Sequence, residues 1–397
     1  MTPTTPARDE PIPRARYVMV GGFLGAGKTT CLLRFAQWLR SRGMRVGLVT
    51  NDQGGGLVDT AVVRSHDMPV EEITGGCFCC RFASLVEAAE KLSRDAVPDV
   101  FLAEPVGSCT DLAATVGLPL ARIYGDRFTV APLSVVVDPL RAERVLGLAG
   151  ANLSEKVGYI YRKQLEEAEI LVVNKTDLVD RPRLERLLAA LKAVNPSAER
   201  LTCSARDGTG LEPWFEAVIG REGSAASIAE IDYDRYAEGE ALLGWLNAVM
   251  RLESRDRQPD GDGEFDGNAA VMSLFAVIRR LAEEAGSEIA HLKATLSPEG
   301  DPFQIAAANL VRTDDLPVFS HRLAEPVDVG RLLVNLRAEA DPSLLEDVVR
   351  RAARELEPAV SCEILHLEHF RPGRPVPTHR LESKPNPRPS PAMPQRA

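Results

Sequence analysis

The chain has 397 residues, of which 45% are hydrophobic and 26% are charged. This composition is typical of folded globular proteins, and the length allows two domains. A net charge of −10 disfavours nucleic acid or a membrane surface as the main partner. No run of about 18 apolar residues is present, so no membrane span is expected. Residues 1–14 have no apolar segment of the kind that a secretion signal contains, so we predict a disordered leader there. The cytoplasm is then the default location.

Residues 15–222 alternate short apolar runs with helical patterns, which predicts an α/β fold with a doubly wound, mostly parallel sheet. We predict seven strands, at 17–20, 46–50, 70–73, 100–103, 134–137, 170–173 and near Leu201. Helices are predicted between them, notably at 82–93, 154–168 and 182–194. In such folds the functional side chains follow the carboxyl ends of the strands. The motifs described next do so.

The first strand leads into a loop that fits the phosphate-binding pattern G-x-x-x-x-G-K-[ST], formed by Gly22, Phe23, Leu24, Gly25, Ala26, Gly27, Lys28 and Thr29, with Thr30 next. Glycines let backbone N–H groups approach a polyphosphate, and the following helix adds its own unpaired N–H donors. Lys28 supplies a charge to the outer phosphates, and Thr29 supplies a hydroxyl to Mg²⁺. An incidental glycine-rich turn is disfavoured, because the strand and helix that this motif requires flank it.

Two further segments predict a magnesium environment. Asp52 follows the second strand in a loop with Gln53 and three glycines, and it could reach Mg²⁺, although a plain turn fits this loop as well. Glu104 ends the fourth strand, and its carboxylate can hold Mg²⁺ or its water. Gly107 then offers an N–H where a γ-phosphate would lie. Gln53 is a candidate for positioning water only through its place in the loop.

After the third strand, three of the four residues from 77 to 80 are cysteines: Cys77, Cys79 and Cys80. Two glycines directly precede them. Thiolates at this density favour Zn²⁺, Cu⁺ or another thiophilic ion. Three ligands leave one position of a tetrahedral ion open, which favours exchange or delivery over a permanent structural zinc. A redox-active cluster, or three small hydrophobic residues, are the alternatives.

The sixth strand ends in Asn174-Lys175-Thr176-Asp177. An aspartate can accept both the ring N–H and the amino group of guanine, which adenine does not offer. After the next strand, a backbone N–H at Ser204 or Ala205 could reach the guanine oxygen. In this order after the phosphate loop, these residues predict GTP as the nucleotide.

With these motifs in this order, the chain resembles the CobW-like metallochaperone GTPases, the CobW/HypB/UreG group. The resemblance covers about residues 15–222 and rests on matching segments at 22–30, 51–54, 72–80, 104–107, 174–177 and 204–205. It implies GTP hydrolysis coupled to transfer of a transition metal, with zinc first and cobalt or iron as other candidates, to a client metalloprotein.

The resemblance also implies roles for particular residues. Cys77, Cys79 and Cys80 would bind the metal. Thr29, Asp52 and Glu104 would surround magnesium, and Lys28, Thr29 and Glu104 would be catalytic. A client or a second copy of the chain would complete the site, so a homodimer is left open.

The spacing suggests how the two sites are coupled. Cys77 follows Asp52 by 25 residues, and Cys80 precedes Glu104 by 24 residues (77 − 52 and 104 − 80). GTP could then change the cysteine geometry, and hydrolysis could relax it. Two alternatives stay open: a metal buffer or sensor that binds GTP with negligible turnover, and a GTPase regulated by thiol oxidation.

The second half of the chain gives weaker signals. Residues 223–239 predict a linker, and residues 240–370 predict a smaller α+β domain of the ferredoxin-like kind. Residues 371–397 are rich in proline and polar residues and predict a disordered tail. No residue in this half is predicted to take part in the chemistry.

Overall fold

The protein is described by a computed structural model that covers residues 14–51, 58–64, 66, 68–95, 97–150, 153–224, 228–256, 263–301, 303–356 and 360–382. Two β-sheets organise these residues. The first sheet lies in the amino-terminal half and the second in the carboxy-terminal half. None of the helices in these ranges is both long and apolar enough to cross a membrane.

The first sheet is parallel, in the order β3-β2-β4-β1-β6-β7-β8, with β5 beside β1. Its strands are β1 (Ala15–Gly21), β2 (Val46–Asn51), β3 (Val70–Ile73), β4 (Val100–Glu104), β5 (Phe128–Val130), β6 (Ser134–Val137), β7 (Ile170–Val173) and β8 (Glu199–Thr202). The seven strands predicted from the sequence are confirmed. β5 was not predicted, because three residues are too short for a periodic signal.

Helices cover both faces of this sheet: α1 (Lys28–Ser41), α2 (Val58–Arg64), α3 (Phe82–Asp95), α4 (Leu118–Ile123), α5 (Pro139–Val145), α6 (Glu155–Glu167), α7 (Arg181–Val194), α8 (Leu211–Gly220) and α9 (Tyr233–Leu242). β1 shows why both faces are covered. Tyr17 and Met19 pack into one core layer, and Val18 and Val20 pack into the other. A strand that is apolar on both sides needs helices on both sides, and each large side chain buried there contributes roughly 1.5–3 kcal/mol.

The second sheet is antiparallel, in the order β12-β11-β10-β13-β9-β14. Its elements are β9 (Leu243–Ser254), α10 (Gly267–Glu284), β10 (Glu288–Pro298), β11 (Ala306–Leu310), β12 (Val318–His321), β13 (Val329–Glu339), α11 (Pro342–Leu356) and β14 (Val360–Phe370). The order β10-β13-β9-β14, with helices after the first and third of these strands in the chain, confirms the predicted ferredoxin-like domain. β11 and β12 extend its sheet at one edge.

The two faces of the second sheet have different neighbours. Leu292 and Ala294 of β10 pack with α10 and α11 in one core. The opposite face packs on the first domain, where Trp245 and Ala290 join the core beside β1. The Arg141 side chain donates across this interface to the carbonyl oxygens of Ala290, at 3.1 Å, and of Val311. The second domain therefore covers the edge of the first sheet at which the motifs lie.

Two segments differ from the sequence prediction. The predicted linker at 223–239 contains the start of α9, which packs against α6; a Cβ at Gly239 would lie 2.6 Å from the Lys156 carbonyl oxygen. The tail predicted to be disordered from residue 371 has an extended segment, residues 371–382, that is hydrogen-bonded to the first domain. Backbone hydrogen bonds from Thr378 and Leu381 and the ion pair between Arg380 and Asp111 hold this segment, and composition gives no signal for these tertiary contacts.

Candidate functional site

The phosphate loop has the geometry that its glycines predict. Gly22, Gly25 and Gly27 have φ values of +131°, +79° and +96°, a region that other residues rarely adopt. A Cβ at Gly22 would lie 2.3 Å from the Val136 carbonyl oxygen, so the loop is pressed against the sheet. No side chain caps the start of α1, which begins at Lys28. Its first N–H groups are therefore available to phosphate oxygens.

The remaining loop residues are divided between core and cleft. Ala26 is buried, whereas Thr30 is exposed in the first turn of α1. Thr30 lines a cleft of about 510 Å³ that runs from the phosphate loop to the loop after β7. The cleft is large enough for a nucleotide, since small-molecule sites span roughly 300–1,000 Å³.

Hard oxygen donors converge behind the phosphate loop. Thr29 Oγ1 donates to Asp59 Oδ1 at 2.6 Å and lies 3.1 Å from Glu104 Oε1. The Lys28 ammonium is 3.9 Å from Glu104 Oε1, and both of these side chains are buried. Asp52 lies outside the described residues. Asp59, at the start of α2, is the carboxylate that accompanies Thr29 and Glu104, and the sequence prediction missed it.

Burial and neighbouring charges shift the acidity of this cluster. Burial raises the pKa of Glu104 to about 7, with the Asp59 charge acting in the same direction and Lys28 opposing it. Burial also acts to raise the pKa of Asp59, but the charge of Lys293 and its hydrogen bond outweigh it, so that this pKa lies below its usual value. The cluster can exchange a proton at Glu104 while Asp59 stays ionised.

The predicted guanine residues meet at the far end of the cleft. Ser204 Oγ donates to Asp177 Oδ1 at 2.8 Å, and Asp177 is exposed towards the cleft. Asn174 links this loop to the phosphate loop, because its amide donates to the Ala26 carbonyl oxygen at 3.0 Å and its Oδ1 accepts from Ala205 N at 2.9 Å. The Ala205 N–H, predicted as a candidate donor to guanine, therefore holds Asn174 in this structure.

Lys175 spans the two loops. Its backbone has a φ of +55°, and its ammonium lies 2.7 Å from both the Gly25 carbonyl oxygen and Asp138 Oδ2. Burial acts to raise the pKa of Asp138, but Lys175 outweighs it and holds this pKa at about 2. Lys175 and Asp177 both line the cleft.

The three thiols of the cysteine loop converge as predicted. The Sγ atom of Cys77 lies 2.8 Å from that of Cys79 and 3.3 Å from that of Cys80, and the other pair is 3.7 Å apart. The loop closes as a turn in which Cys80 N donates to the Cys77 carbonyl oxygen at 3.0 Å. Cys77 and Cys79 are buried, and Cys80 is half-buried. Three soft donors within 4.8 Å of one another fit a thiophilic ion.

A fourth cysteine, Cys109, contacts this cluster and was not predicted. It is buried in the turn after β4, close enough to Cys77 to influence the acidity of that thiol. Hydrogen bonds from Cys109 first, and then from Cys79 and Cys80, hold the pKa of Cys77 well below its usual value. This direction favours Cys77 as the thiolate of the group, with its neighbours as hydrogen-bond donors.

Asn51 joins the cysteine loop to the nucleotide side. Its side-chain amide donates to the carbonyl oxygens of Ile73, at 3.0 Å, and Gly76, at 2.8 Å, while its Oδ1 accepts from Phe78 N at 3.0 Å. Asn51 is the last residue of β2 and directly precedes the segment predicted to respond to nucleotide. A buried amide with three hydrogen bonds makes this connection rigid.

A family profile described as "CobW/HypB/UreG, nucleotide-binding domain" matches residues 16–202. Over this span the chain is similar to that family. It is 30% identical over 185 residues to the zinc chaperone CobW of Sinorhizobium sp, covering 41% of this chain and 51% of that relative. It is 28% identical over 163 residues to the zinc chaperone YeiR of Escherichia coli, covering 41% of this chain and 47% of that relative. The chain thus matches about half the length of these CobW/HypB/UreG relatives.

Solved structures are similar at lower identity. HypB from Helicobacter pylori in complex with nickel is 17% identical with a TM-score of 0.40, covering 53% of this chain and 90% of that chain. The Zn(II)-bound YjiA GTPase from E. coli is 14% identical with a TM-score of 0.35, covering 87% of this chain and 99% of that chain.

The cleft also contains side chains from the second domain that sequence reasoning missed. The Lys293 ammonium lies 2.5 and 2.6 Å from the two carboxylate oxygens of Asp59. His291 is buried beside it, and burial first, then the charges of Lys293 and Lys28, lower its pKa well below the usual value. The available signal in the sequence was the alternation of the polar residues His291 and Lys293 with apolar residues along β10. This alternation indicates which face of the strand is polar, but not what that face contacts.

Proposed function

We propose that this protein is a GTP-hydrolysing metallochaperone that couples its GTP state to binding and transfer of a thiophilic transition metal. Zinc is the first candidate cargo, with cobalt and iron as the others, and a client metalloprotein is the recipient. The observation that carries the proposal is the Asn51 amide, which ties the three-thiol loop to the end of β2 beside the nucleotide cleft. Relatives named as zinc chaperones support the choice of metal.

The nucleotide half of the proposal uses the phosphate loop and the cleft. Lys28 binds the outer phosphates, and Asp177 accepts the N–H groups of guanine. Mg²⁺ would be held by the Thr29 hydroxyl and the carboxylates of Asp59 and Glu104, because hard oxygen donors of this kind converge there. When bound, Mg²⁺ neutralises charge on the β- and γ-phosphate oxygens. Asp52 stays a predicted member of this set.

The metal half uses the cysteine loop. Cys77, Cys79 and Cys80 supply three soft donors to the cargo ion, and Cys80 is the most exposed of them. An ion held by three thiols keeps one position for a ligand of the client, so it can be passed on by ligand exchange. We expect the client to approach from the Cys80 side, because Cys80 is the most exposed of the three thiols.

Two sets of hydrogen bonds connect the nucleotide site with the metal site. The first is made by the Asn51 side chain. In the second, Gln164 Nε2 donates to the carbonyl oxygens of Gly107, at 2.9 Å, and Cys109, at 2.8 Å. The turn between these residues leads from the predicted γ-phosphate contact to the thiol beside Cys77. A shift of this turn on GTP binding changes the surroundings of the Cys77 thiolate, which is how hydrolysis could release the cargo.

The first test is metal stoichiometry and affinity of the reduced full chain, with GDP and with a non-hydrolysable GTP analogue, each with Mg²⁺. We expect one thiol-bound ion whose affinity differs between the two nucleotides by roughly 5–150-fold, the usual range of such coupling. The triple variant Cys77→Ser/Cys79→Ser/Cys80→Ser should lose this ion. Cys362→Ser, which removes a thiol on β14, is the matched control and should keep it.

Other outcomes identify the alternatives. Equal metal affinity with GDP and with the GTP analogue would contradict the coupling. Coupled binding without sustained phosphate release, even with metal or client added, would support a metal buffer or sensor. Nucleotide affinity that responds to thiol oxidation and not to zinc would support the redox-regulated GTPase.

A further inference from the structure

A small cavity of about 40 Å³ lies between the phosphate loop and the sheet of the second domain. Lys28, Glu104 and the turn at 105–107 line it from the first domain. From the second domain, Trp245, His291, Lys293 and Arg337 line it. The lysine of a phosphate loop contacts the β- and γ-phosphates. The cavity is therefore where the terminal phosphate of a nucleotide in this loop would extend.

The register of the second sheet places Lys293 in this cavity. Its neighbours in β10, Leu292 and Ala294, pack against the helices of the second domain, so Lys293 projects from the opposite face. The backbone of Lys293 is paired on both sides, with Asn309 of β11 and Asn335 of β13. The ammonium group is thus carried by the interior of a sheet rather than by a loop.

The same sheet is docked directly on the nucleotide side. The Val58 N–H, in the residue before Asp59, donates to Asn335 Oδ1 at 3.0 Å. This contact fixes the start of α2 against β13. The distance between Lys293 and Asp59 is therefore set by paired strands and a hydrogen-bonded interface, which is the kind of positioning that phosphoryl transfer requires.

The charges of the cluster indicate what Lys293 does when ligand enters. Asp59 neutralises Lys293 here through both of its carboxylate oxygens. Mg²⁺ carries two charges and prefers carboxylate oxygens, so it competes with the ammonium for Asp59. Mg²⁺ arrives with a polyphosphate that has a larger negative charge. Lys293, once released from Asp59, can then pair with the phosphate oxygens.

A second, independent observation also points to an anion. The Trp245 side chain is 1% exposed, and its Nε1–H has no hydrogen-bond partner among the described residues. An unpaired buried donor destabilises the folded protein, and most buried donors have a hydrogen-bond partner, which the described residues do not supply here. The Arg337 guanidinium carbon lies 4.0 Å from the centre of the Trp245 ring and adds positive charge next to this donor. A phosphate oxygen in the cavity would satisfy the N–H.

We propose that the second domain completes the nucleotide site in cis, with Lys293 as the cation that contacts the terminal phosphate of GTP and Trp245 as a neighbouring donor. The assignment rests on the proposed GTPase function. In that reaction a water oxygen bonds to the γ-phosphorus while the bond to the β,γ-bridging oxygen breaks. The electron pair leaves with GDP, and the proton from water is carried by the phosphate product. Lys293 stabilises the negative charge on the transferring group, as a finger from a partner protein does in other GTPases.

The test compares Lys293→Ala, Lys293→Arg and a control, Lys192→Ala, in the full chain. Lys192 is exposed in the last turn of α7, away from the cleft. Two readouts are used: kcat and KM for GTP, and formation of a trapped Mg²⁺·GDP·aluminium fluoride complex, which mimics the transferring phosphoryl group and needs no turnover. Circular dichroism and the thermal midpoint show whether each variant is folded.

For Lys293→Ala we expect kcat to fall by about 1,000-fold or more, in line with the loss of other cationic fingers, with a smaller change in affinity for a GTP analogue. The trapped complex should be lost in Lys293→Ala, partly restored in Lys293→Arg, and unchanged in the control. A higher kcat or tighter Mg²⁺ binding in Lys293→Ala would overturn the proposal, because Lys293 would then only block the Mg²⁺ ligands. An unchanged trapped complex in that variant would also overturn it.

Failure of the proposed function would be a different result. Wild-type protein that binds no guanine nucleotide would contradict the GTPase assignment before any variant is made, and the proposal for Lys293 would fail with it. Wild-type protein that forms the trapped complex, together with a Lys293→Ala variant that forms it equally well, would contradict only the role of Lys293.

Discussion

The nucleotide cleft and the cysteine loop lie on the same edge of the parallel sheet, but different parts of the chain cover them. A folded sheet covers the cleft, and its contacts include the Lys293–Asp59 ion pair. An extended segment, residues 371–382, covers the cysteine loop; Thr378 N donates to the Cys79 carbonyl oxygen at 2.8 Å, and Val376 N donates to Cys80 Sγ at 3.3 Å.

The difference bears on how each site can open. A cover made of paired strands moves as one body, since its hydrogen bonds are internal to the second domain. An extended segment with a few backbone hydrogen bonds can be displaced residue by residue, at a lower free-energy cost. We therefore expect the nucleotide cleft to respond to ligand charge and the cysteine loop to respond to a competing peptide surface. The predictions below test the base-binding end of the cleft, then a segment that borders both sites, and then the cover of the cysteine loop.

The largest effect is expected at the base-binding end of the cleft. Asp177→Asn should weaken GTP binding by roughly 100-fold or more, because the donors of guanine lose an acceptor that the site is built to supply. The same variant should gain affinity for xanthosine triphosphate, whose ring carries an oxygen where guanine has its amino group. Competition binding with a fluorescent nucleotide measures both.

Asp180→Asn is a suitable control, since Asp180 caps α7 through Arg183 N at 2.9 Å and is exposed. It should leave base preference unchanged. If Asp177→Asn kept the preference for GTP, the cleft would recognise the base through other residues, and the assignment of its two ends would be wrong.

The second prediction concerns the segment at 107–113, which borders both sites. Glu167 holds it: one carboxylate oxygen accepts from Thr110 Oγ1 at 3.0 Å, and the other accepts from Ala113 N at 3.2 Å. Burial, followed by the charge of Asp111, raises the pKa of Glu167 from 4.5 to about 8. A carboxyl group whose pKa is raised by folding stabilises the protein below its unfolded pKa, and this stability is lost as pH rises through the folded pKa.

Wild-type protein should therefore lose about 2 kcal/mol of unfolding free energy through this group between roughly pH 6.5 and 8.5. Glu167→Gln should flatten this part of the pH profile, and Glu166→Gln, in the half-exposed neighbour, should not. Urea unfolding at a series of pH values measures the difference. If the profile of Glu167→Gln matched that of wild type, Glu167 would be ionised in the folded protein, and the segment would be held by charge.

The sequence was informative where chemistry is concentrated in consecutive residues. The phosphate loop, the Asn174–Asp177 stretch and the cysteine loop each place several functional groups within a few residues, and the fold brings them together as predicted. Their spacing is set by local backbone geometry, which a pattern can record.

Other residues join the site only through tertiary contacts. Asp59 is a single acid at the start of a short helix, so no pattern distinguished it from Asp52. Lys293 reaches the cleft because two sheets dock, and the alternation of β10 does not say on what. Cys109 lies 29 residues after Cys80 (109 − 80) and carries no motif of its own. Residues 371–382 are held by backbone hydrogen bonds and by ion pairs such as Arg380–Asp111, and proline-rich composition does not indicate either kind of contact.

The smallest effect is expected from removing the cover of the cysteine loop. Deleting residues 371–397 removes the N–H donor to Cys80 and the two contacts from Thr378. Loss of the hydrogen bond makes the thiolate less stable, but greater access to Cys80 should dominate, and we expect alkylation to be roughly tenfold faster. Mass spectrometry resolves the rate at Cys80 from that at Cys362, which packs beside Met250 in the second domain and serves as the control in the same molecule.

If deletion leaves the Cys80 rate unchanged, the segment does not limit access to the thiols, and both sites depend for access on the folded domains alone. A faster rate that metal loading abolishes would show that the segment and the cargo ion protect the same sulfur.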